Sequence, residues 1–456
     1  MDPKALQAAL RYIESWLGFQ LRVLARPGLT LAVTHRQRIV LELGLGEADI
    51  LKKTPMTAQH QLRIASHSKT FTAVGILKLR EQGLLGLDDP AGRHVKGLHA
   101  DVAKVRLSQL LSHSAGVSRD GPDAGQFQDR HPYLDREQLL QDLARGLAIT
   151  PNTRFKYSNH GFGLLGLVIE AVTGQRYVDW MAREVVAPAG LEHTLPDRLP
   201  GKRTGLAAGH SGRLLLGRRV VIPGDNETRA IAPAGGFVST AGDVARFYAQ
   251  LLPTAKKSLL SVDSRRELMR RHAQVPHSST PSWYGLGVMH GSYQGWDWLG
   301  HTGGLQGFVS RSLVLPQQEI AISLLANSLD AFTWPWVDGI LQVLQTFDRH
   351  GAPTARTRDW TGRWWNLWGA TDLVPMGDHV LAVGPALAAP FTDATQLTPT
   401  GKDRAVMSQA NGYATFGEEV RRVRDAKGQV KELWLGGSLS RPENVVAREM
   451  QRRYEG

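Results

Sequence analysis

Ser66 and Lys69 are the two residues of this chain whose types and spacing first suggest chemistry. Residues three positions apart share one face of a helix, so a helix that opens at Ser66 would bring the lysine amine to the serine oxygen. A serine hydroxyl becomes a nucleophile when a base lies beside it, and a lysine whose ammonium form is disfavoured by burial can be that base. The pair therefore predicts covalent catalysis through Ser66.

The segment after Ser66 supports the helix that this pairing requires. Phe71, Val74 and Leu77 form an apolar stripe with helical spacing, and Gly83 stands where a helix end is commonly capped. The positive end of such a helix would favour the negative charge that develops during attack. A serine and a lysine three apart also occur by chance, so the pair alone does not identify an enzyme.

Two further motifs accompany this pair, and each occurs once in the chain: Tyr-Ser-Asn at 157–159 and His-Thr-Gly at 301–303. Tyr157 could be an ordinary core tyrosine, but its place directly before a predicted helix favours a phenol that points into a site. Asn159 could cap that helix or face a substrate, and the sequence leaves both roles open.

The order Ser-x-x-Lys, Tyr-x-Asn, His-Thr-Gly resembles that of the serine β-lactamase and penicillin-binding-protein superfamily. The tyrosine of the second motif is similar to that of class C β-lactamases and related D-aminopeptidases, D-peptidases and esterases. Residues 107–116 and 233–241 resemble two further family segments, LLTHTSG and AGG-STA, and the resemblance extends from Pro27 to Asn327. The motifs together imply a serine hydrolase of this superfamily.

The resemblance also implies a role for each site residue and requires no metal or organic cofactor. Lys69 and Tyr157 together would remove the proton of Ser66. Tyr157 would then protonate the leaving group and later activate the deacylating water. The backbone N–H groups of Ser66 and Gly304 would hold the oxyanion, and Asn159 would position the substrate amide.

His301 departs from the β-lactamase pattern, which has a lysine at this position, and resembles the esterase and D-peptidase branches. A charged His301 would bind a substrate carboxylate, whereas a neutral one would support Tyr157 by a hydrogen bond. We expect the neutral role. Residues 203–205 have the same basic-Thr-Gly form, but only His301 leads into a predicted strand, with Gly304 free to approach a ligand closely.

The implied substrates are small molecules or short peptides with an amide bond, including amides of D-residues, or with an ester bond. An alternative is a protein that binds penicillin or peptidoglycan fragments, or a weak β-lactamase, with little turnover. We expect the specificity of the site to be set by the loop 119–131 and by four aromatic residues, namely Trp283, Tyr284, Trp296 and Trp298.

Composition limits the partners of the chain. Its 456 residues, 42% of them hydrophobic, can bury a large core, and the absence of cysteine excludes disulfides and thiol catalysis. The net charge of +12 comes from scattered basic residues, so we expect no nucleic-acid partner. We see no signal peptide and no apolar run long enough to span a bilayer, and therefore expect a cytoplasmic protein without a membrane partner. The oligomeric state stays open.

Two other patterns are interpreted as structural. Residues 161–166 fit Gly-x-Gly-x-x-Gly, but without a surrounding βαβ unit they indicate close helix packing rather than nucleotide binding. His113, in a Ser-His-Ser segment, is also expected to be structural. No His-Glu-x-x-His and no Gly-x-Ser-x-Gly occurs, which argues against a zinc peptidase and an α/β-hydrolase.

Secondary-structure patterns predict a mixed α/β (α+β) fold. Strands are predicted at 30–35, 38–43, 286–288, 309–315 and 320–325, and helices at 5–24, from Ser66, at 159–173 and at 334–347. Strands at both ends with helices between them predict an antiparallel sheet covered by helices, together with an all-helical lobe, as in the superfamily. We assign residues 1–350 to this β-lactamase-like serine hydrolase domain.

The character of the sequence changes after His350. Gly-Ala-Pro-Thr at 351–354 predicts a linker, and residues 426–429 predict a hairpin turn. Short aromatic or β-branched segments predict strands at 364–365, 381–383, 413–416, 420–423 and 430–435. We therefore expect residues 351–456 to form a small all-β barrel-like domain, which resembles the lipocalin-like barrels of some D-aminopeptidases.

Overall fold

The computed structural model describes residues 1–198, 205–278, 280–411 and 415–455. The helices are α1 (Pro3–Val23), α2 (Ser68–Glu81), α3 (Ala100–Lys104), α4 (Leu107–Leu111), α5 (Arg136–Leu143), α6 (Asn159–Thr173), α7 (Tyr177–Met181), α8 (Ala232–Gly235), α9 (Ala241–Gln250), α10 (Val262–Leu268), α11 (Thr333–His350) and α12 (Glu443–Tyr454). Among the described residues, we find no helix that combines the length and the hydropathy of a membrane span. The chain divides into two compact units, Arg26–Thr333 and Met1–Ala25 with Trp334–Gly456.

The unit Arg26–Thr333 is built on a nine-stranded antiparallel sheet. The described residues of this unit form thirteen strands, which include two short pairs outside the main sheet: β1 (Gly28–His35), β2 (Arg38–Asp49), β3 (Thr54–Pro55), β4 (Leu62–Arg63), β5 (Gly209–His210), β6 (Val221–Ile222), β7 (Val238–Ser239), β8 (Ala273–Val275), β9 (Ser282–Tyr284), β10 (Met289–Tyr293), β11 (Trp296–Leu305), β12 (Phe308–Leu315) and β13 (Ile320–Ala326). The strand order of the main sheet is β3-β2-β1-β13-β12-β11-β10-β9-β8, so the first strands of the unit lie beside the last one.

Helices cover this sheet and form a separate helical group. Helix α9 packs on β1, β12 and β13, while α2, α6 and α8 pack on one another. The glycines of α6 permit this packing, because a Cβ atom at Gly166 would lie 2.3 Å from the Pro233 ring and one at Gly163 would lie 2.8 Å from Leu139. The predicted fold class is thus confirmed, and the Gly-x-Gly-x-x-Gly segment serves helix packing.

One predicted strand is wrong. Residues 286–288 form a turn between β9 and β10, in which the N–H of Gly285 donates to the carbonyl of Val288 at 2.8 Å. Gly287 has a φ of +72°, a backbone conformation that glycine adopts without strain. Its carbonyl accepts a hydrogen bond from the Thr70 hydroxyl of α2 at 2.7 Å, so contact with the helix keeps this apolar segment out of the sheet.

The second unit contains a nearly closed, eight-stranded antiparallel barrel in the strand order of the chain. Trp365 of the first strand exchanges two backbone hydrogen bonds of 2.8 Å with Arg441, just after the last strand. Buried residues such as Trp360, Leu397 and Val420 fill the interior. The strands are β14 (Gly362–Asn366), β15 (Gly369–Met376), β16 (His379–Val383), β17 (Thr395–Pro399), β18 (Arg404–Gln409), β19 (Glu419–Arg424), β20 (Val430–Leu435) and β21 (Ser438–Ser440).

The predicted linker at 351–354 is half-buried and bonded to the barrel. The N–H of Gly377 donates to the carbonyl of Ala352 at 3.1 Å, and Thr354 donates to the carbonyl of Gly377 at 3.2 Å. The compact unit groups α1 and α11 with the barrel, and the division at 350/351 stays a prediction. Tyr413 and Ala414 of one predicted strand lie outside the described residues.

Candidate active site

Ser66 lies in a short 3₁₀ helix, Ala65–His67, immediately before α2. The α-helix itself begins at Ser68 rather than at Ser66. Ala65 has a φ of +49°, which is strained for a residue with a side chain, and the Ser68 hydroxyl donates to the Ala65 carbonyl at 2.6 Å. The strained turn is thereby held in place, and it presents a half-buried Ser66 at the start of the helix.

Lys69 is fully buried and its amine has three neighbours. The Nζ atom lies 3.1 Å from Ser66 Oγ, 2.7 Å from Asn159 Oδ1 and 2.7 Å from the carbonyl oxygen of Ala234. Burial lowers the pKa of Lys69 well below its ordinary value, although the negative charge of Asp120 opposes this effect. The lysine is therefore suited to act as a neutral amine.

The neutral form of Lys69 has a defined orientation in this site. A neutral amine has two N–H bonds and one lone pair, and Asn159 Oδ1 and the Ala234 carbonyl can only accept hydrogen bonds. If the two N–H bonds point to these acceptors, the lone pair is left to face Ser66 Oγ. This geometry can take the proton from the Ser66 hydroxyl.

Tyr157 contacts the same hydroxyl from another direction. Its O–H donates to Ser66 Oγ at 2.7 Å, and its ring centroid lies 4.7 Å from Lys69 Nζ. Desolvation raises the pKa of Tyr157 well above its ordinary value, despite the opposing hydrogen bond with Ser66. The phenol therefore keeps its proton, and it is suited to donate to Ser66 rather than to act as the first base.

The capping role considered for Asn159 is taken by its neighbour, and its contact with a substrate stays a prediction. Ser158 is the N-cap of α6, because its hydroxyl oxygen accepts the N–H of Gly161 at 2.8 Å. The side chain of Asn159 is then available to the site, where its Nδ2 donates to Asp120 Oδ1 at 2.6 Å. Arg119 in turn lies 3.1 Å from the other oxygen of Asp120.

Sequence reasoning missed Asp120 as a partner of the site. Arg119 and Asp120 follow the segment 107–116, and the sequence placed them only at the beginning of a rim loop. No motif connects Asp120 to Asn159, which lies 39 residues later in the chain. Only the fold brings the two side chains together.

His301 is buried, and both of its ring nitrogens have partners. Nδ1 lies 2.6 Å from the carbonyl oxygen of Thr302, which can only accept, so Nδ1 carries the proton. Nε2 then accepts the hydrogen bond from the Tyr284 hydroxyl at 2.8 Å. Burial is the largest cause that lowers the pKa of His301, to about 3. The imidazole is neutral, but its partner is Tyr284, and the predicted hydrogen bond to Tyr157 is therefore wrong.

The glycines after His301 let β11 approach the nucleophile. A Cβ atom at Gly303 would lie 2.3 Å from the carbonyl oxygen of Ile64, next to the 3₁₀ helix, whereas one at Gly304 would meet no atom within 4 Å. The oxyanion role of the Gly304 N–H stays a prediction. Arg203 and Thr204, which form the competing basic-Thr-Gly motif, lie outside the described residues.

A cavity of about 380 Å³ opens on these residues. Apolar side chains make up much of its wall, and Arg119 is the only charged residue among the described residues that line it. The apolar side chains of this wall include those of Phe127, Phe155, Val275, Met289 and Leu305. The six residues predicted for the site, except the buried Lys69, all border this cavity.

Only one of the four aromatic residues expected at the rim borders the cavity. Tyr284 does so as a buried residue, whereas Trp283, Trp296 and Trp298 are not among the described residues that line it. Neighbouring residues of a strand face opposite sides, so Trp283 points away from Tyr284 and packs 4.4 Å from the Arg271 guanidinium. From the predicted rim loop 119–131, Arg119 and Phe127 line the cavity.

His113 is structural, as predicted. Its Nδ1 accepts the N–H of Ser158 at 3.1 Å, and its ring packs 4.3 Å from that of Tyr157 and 4.7 Å from that of Tyr284. Burial lowers the pKa of His113 well below its ordinary value. A neutral imidazole thus supports the backbone beside Tyr157.

Known proteins share this fold. The chain is similar to the octameric penicillin-binding protein homologue from Pyrococcus abyssi, with a TM-score of 0.65 and 22% identity over 94% of this chain and 98% of that one. It is also similar to a D-stereospecific amidohydrolase from Streptomyces sp., with a TM-score of 0.58 and 26% identity over 72% of this chain and 95% of that one.

The sequence comparison extends over part of the chain. The chain is 26% identical over 312 residues to Protein flp of Staphylococcus aureus strain N315, a match that covers 66% of this chain and 59% of that protein. The chain thus spans about three fifths of the length of such curated relatives. A family model described as Beta-lactamase matches residues 21–333, most of the chain, and the chain belongs to this family.

Proposed function

We propose that this protein is a serine hydrolase that works through an acyl-enzyme on Ser66. The observation that carries the proposal is the pair of contacts on one hydroxyl, with Lys69 Nζ at 3.1 Å and Tyr157 O–H at 2.7 Å from Ser66 Oγ. A neutral amine and a protonated phenol on the same oxygen provide a base and an acid for the two halves of acyl transfer.

The proposed reaction begins when Ser66 Oγ attacks the substrate carbonyl and its proton passes to Lys69 Nζ. The oxyanion is held by the N–H groups of Ser66 and Gly304, as in the family pattern. The bond to the leaving nitrogen or oxygen then breaks, the leaving group takes the proton of Tyr157, and Tyr157 is reprotonated from the Lys69 ammonium. In the second half of the reaction, water attacks the acyl ester. One proton of this water passes to Ser66 Oγ, and the carboxylic acid is released.

The apolar walls of the cavity favour the binding of small substrates with an apolar group next to the scissile amide or ester bond. Arg119 is the charged residue among the described residues of the wall, and its side chain stays 66% exposed beside Asp120, so a carboxylate on the substrate is compatible with the site. The Streptomyces relative is a D-stereospecific amidohydrolase, which supports amides of D-amino acids as the first class to test. Esters are proposed as a second activity, because an alkoxide leaves more readily than an amine.

Substrate turnover by a Ser66→Ala variant tests the proposal. The substrates are p-nitrophenyl esters and D- and L-aminoacyl p-nitroanilides, and Ser278→Ala, at an exposed serine, is the matched control. We expect Ser66→Ala to lose at least about a thousandfold in kcat/KM with an unchanged melting temperature, while the control retains full activity.

Two outcomes would contradict the proposal. Equal hydrolysis by folded Ser66→Ala and by the parent protein would exclude Ser66 as the nucleophile. A covalent adduct that mass spectrometry detects on Ser66, without release of the acid from any substrate, would instead indicate a penicillin- or peptide-binding protein with little turnover.

A further inference from the structure

Three loops of the unit Arg26–Thr333 meet around the hairpin β5–β6. They are residues 49–53, 211–220 and 328–332, and together they are called the loop surface. The N–H of Leu329 donates to the carbonyl of His210 at 3.1 Å, the N–H of Arg213 donates to Asp330 Oδ2 at 3.2 Å, and the N–H of Ala208 donates to the carbonyl of Ala48 at 2.8 Å. These hydrogen bonds hold the three loops side by side.

The loop surface exposes large apolar side chains that a folded protein normally covers. Leu214, Leu215 and Leu216 follow one another at the tip of the hairpin and are 97%, 96% and 60% exposed. Leu51 is 75% exposed in the first loop, and Leu329 is 44% exposed in the third. Single exposed leucines are ordinary, but three in succession on a protruding tip, with others beside them, indicate an interaction surface.

The base of the hairpin is fixed while its tip projects. The N–H of Ser211 donates to the carbonyl of Val220 at 2.9 Å, and the N–H of Val220 donates to the Ser211 hydroxyl at 3.0 Å. Arg219 forms an ion pair with Asp330 at 2.5 Å. The three leucines are therefore presented by an anchored loop, which lowers the conformational entropy lost when the tip is buried.

The charges of the loop surface are mainly positive. Its three loops contain five basic residues and two acidic ones, Asp49 and Asp330. Both acidic residues already pair with cations, Asp49 with Lys52 and Asp330 with Arg219. Among the ion pairs of the described residues, none involves the three remaining cations, which are Lys53, Arg213 and Arg218.

We propose that the loop surface docks this protein on an anionic lipid bilayer. Leucines at a convex tip can enter the fluid interfacial region of a bilayer, whereas a protein partner would need a matching concave pocket. The cations beside them, which take part in none of the ion pairs among the described residues, would face lipid phosphates and be attracted to them. A second copy of the chain would bring like charges together at the same surface, which favours the lipid partner.

This proposal concerns attachment to one side of a membrane. The sequence-based expectation of no membrane partner rested on the absence of a spanning segment, and peripheral docking needs none. The proposal is also independent of the hydrolase function, because it involves none of the residues placed in the active site.

Co-sedimentation with lipid vesicles tests the proposal. The full chain is mixed with vesicles of phosphatidylcholine alone or of phosphatidylcholine with phosphatidylglycerol, at about 0.1 M salt. We expect binding to the anionic vesicles only. A variant with Leu214→Ser, Leu215→Ser and Leu216→Ser should bind the anionic vesicles at least about tenfold more weakly than the parent. A variant with Arg213→Glu and Arg218→Glu should lose binding to a similar extent.

The matched control changes two exposed apolar residues elsewhere, Leu367→Ser and Trp368→Ser, which are 60% and 94% exposed on the other unit. The control should bind anionic vesicles like the parent, and thermal melting should show that every variant is folded. No binding to anionic vesicles, or equal binding by the triple leucine variant, would overturn the proposal. A parent protein that self-associates in light scattering only when the leucines are present, and ignores vesicles, would make the surface a contact between copies.

Discussion

Asn159 Nδ2 donates to Asp120 Oδ1 at 2.6 Å, and this hydrogen bond determines how the amide of Asn159 faces the site. A carboxylate can only accept, so the amide nitrogen must point to Asp120 and the amide oxygen to Lys69 Nζ, 2.7 Å away. The oxygen then accepts one N–H of the lysine amine. Asp120 is therefore a positioning residue, which acts on Ser66 through Asn159 and Lys69.

We predict that Asp120→Asn lowers kcat by about ten- to a hundredfold, because an asparagine no longer dictates the orientation of the Asn159 amide. The pH profile should change as well. The negative charge of Asp120 raises the pKa of Lys69, so its removal lowers this pKa further. Since Lys69 acts as a base when neutral, the acidic limb of the kcat/KM profile should move to lower pH.

Asp123→Asn is the matched control for this experiment, since Asp123 lies in the same loop and pairs with Arg130. It should leave both the rate and the pH profile unchanged. A loss of rate in Asp120→Asn without movement of the acidic limb would show that Asp120 only supports the fold.

Tyr157→Phe and Lys69→Ala should each reduce amide hydrolysis severely, by at least about a hundredfold. Because both side chains act on the Ser66 hydroxyl, the double variant should be little worse than the worse single variant, as residues that act as a unit are not additive. Steady-state rates of the parent protein and the three variants form the double-mutant cycle. Full additivity of the two losses, or a Tyr157→Phe variant that keeps most of its activity on an amide, would mean that the acid and base lie elsewhere.

We predict that KM does not depend on pH through His301. Its folded pKa of about 3 keeps the imidazole neutral from about pH 5.5 to 8, whereas an unperturbed histidine would lose its charge across this range. KM for a carboxylate-bearing substrate should therefore stay constant, as it should for an uncharged ester. A KM that rises with pH for the carboxylate substrate alone would show that His301 is protonated and binds the carboxylate.

Gly303 and Gly304 should respond differently to alanine. The methyl group of Gly303→Ala would lie 2.3 Å from the Ile64 carbonyl, so β11 must shift away from the 3₁₀ helix and the melting temperature should fall by several degrees. Gly304→Ala meets no protein atom within 4 Å and should melt like the parent, which makes it the control for Gly303→Ala. Equal melting temperatures for the two variants would contradict the close approach of β11.

Local sequence patterns predicted the bounds of an element correctly where its own residues specify where it begins and ends. Helix α6 begins and ends where predicted, at Asn159 and Thr173, because an apolar run lies between Ser158 and Gly174. Gly174 has a φ of +67° and ends the helix as glycine does at a C-cap. Strand β20 also has its predicted bounds of Val430 and Leu435, since a hairpin turn precedes a β-branched and apolar run.

Patterns failed where a distant contact decides the conformation. Residues 286–288 have strand-like composition, yet the hydroxyl of Thr70, more than 200 residues earlier, binds the carbonyl of Gly287 in a turn. The same holds for the partner of His301, because Tyr284 was assigned to a rim and the fold buries it against the imidazole. Contacts of this kind depend on how finished elements pack, which periodicity does not encode.

The sequence by itself determined that Ser66 and Lys69 lie side by side, because they are three residues apart, and its companion motifs indicated the β-lactamase family to which the chain belongs. Only the tertiary structure decided their states of protonation. A pKa depends on desolvation and on the charges nearby, and these come from elements far apart in the chain. The carbonyl of Ala234, 165 residues after Lys69, accepts a hydrogen bond from the lysine amine. Burial lowers the pKa of this amine, and the carboxylate of Asp120 opposes that effect.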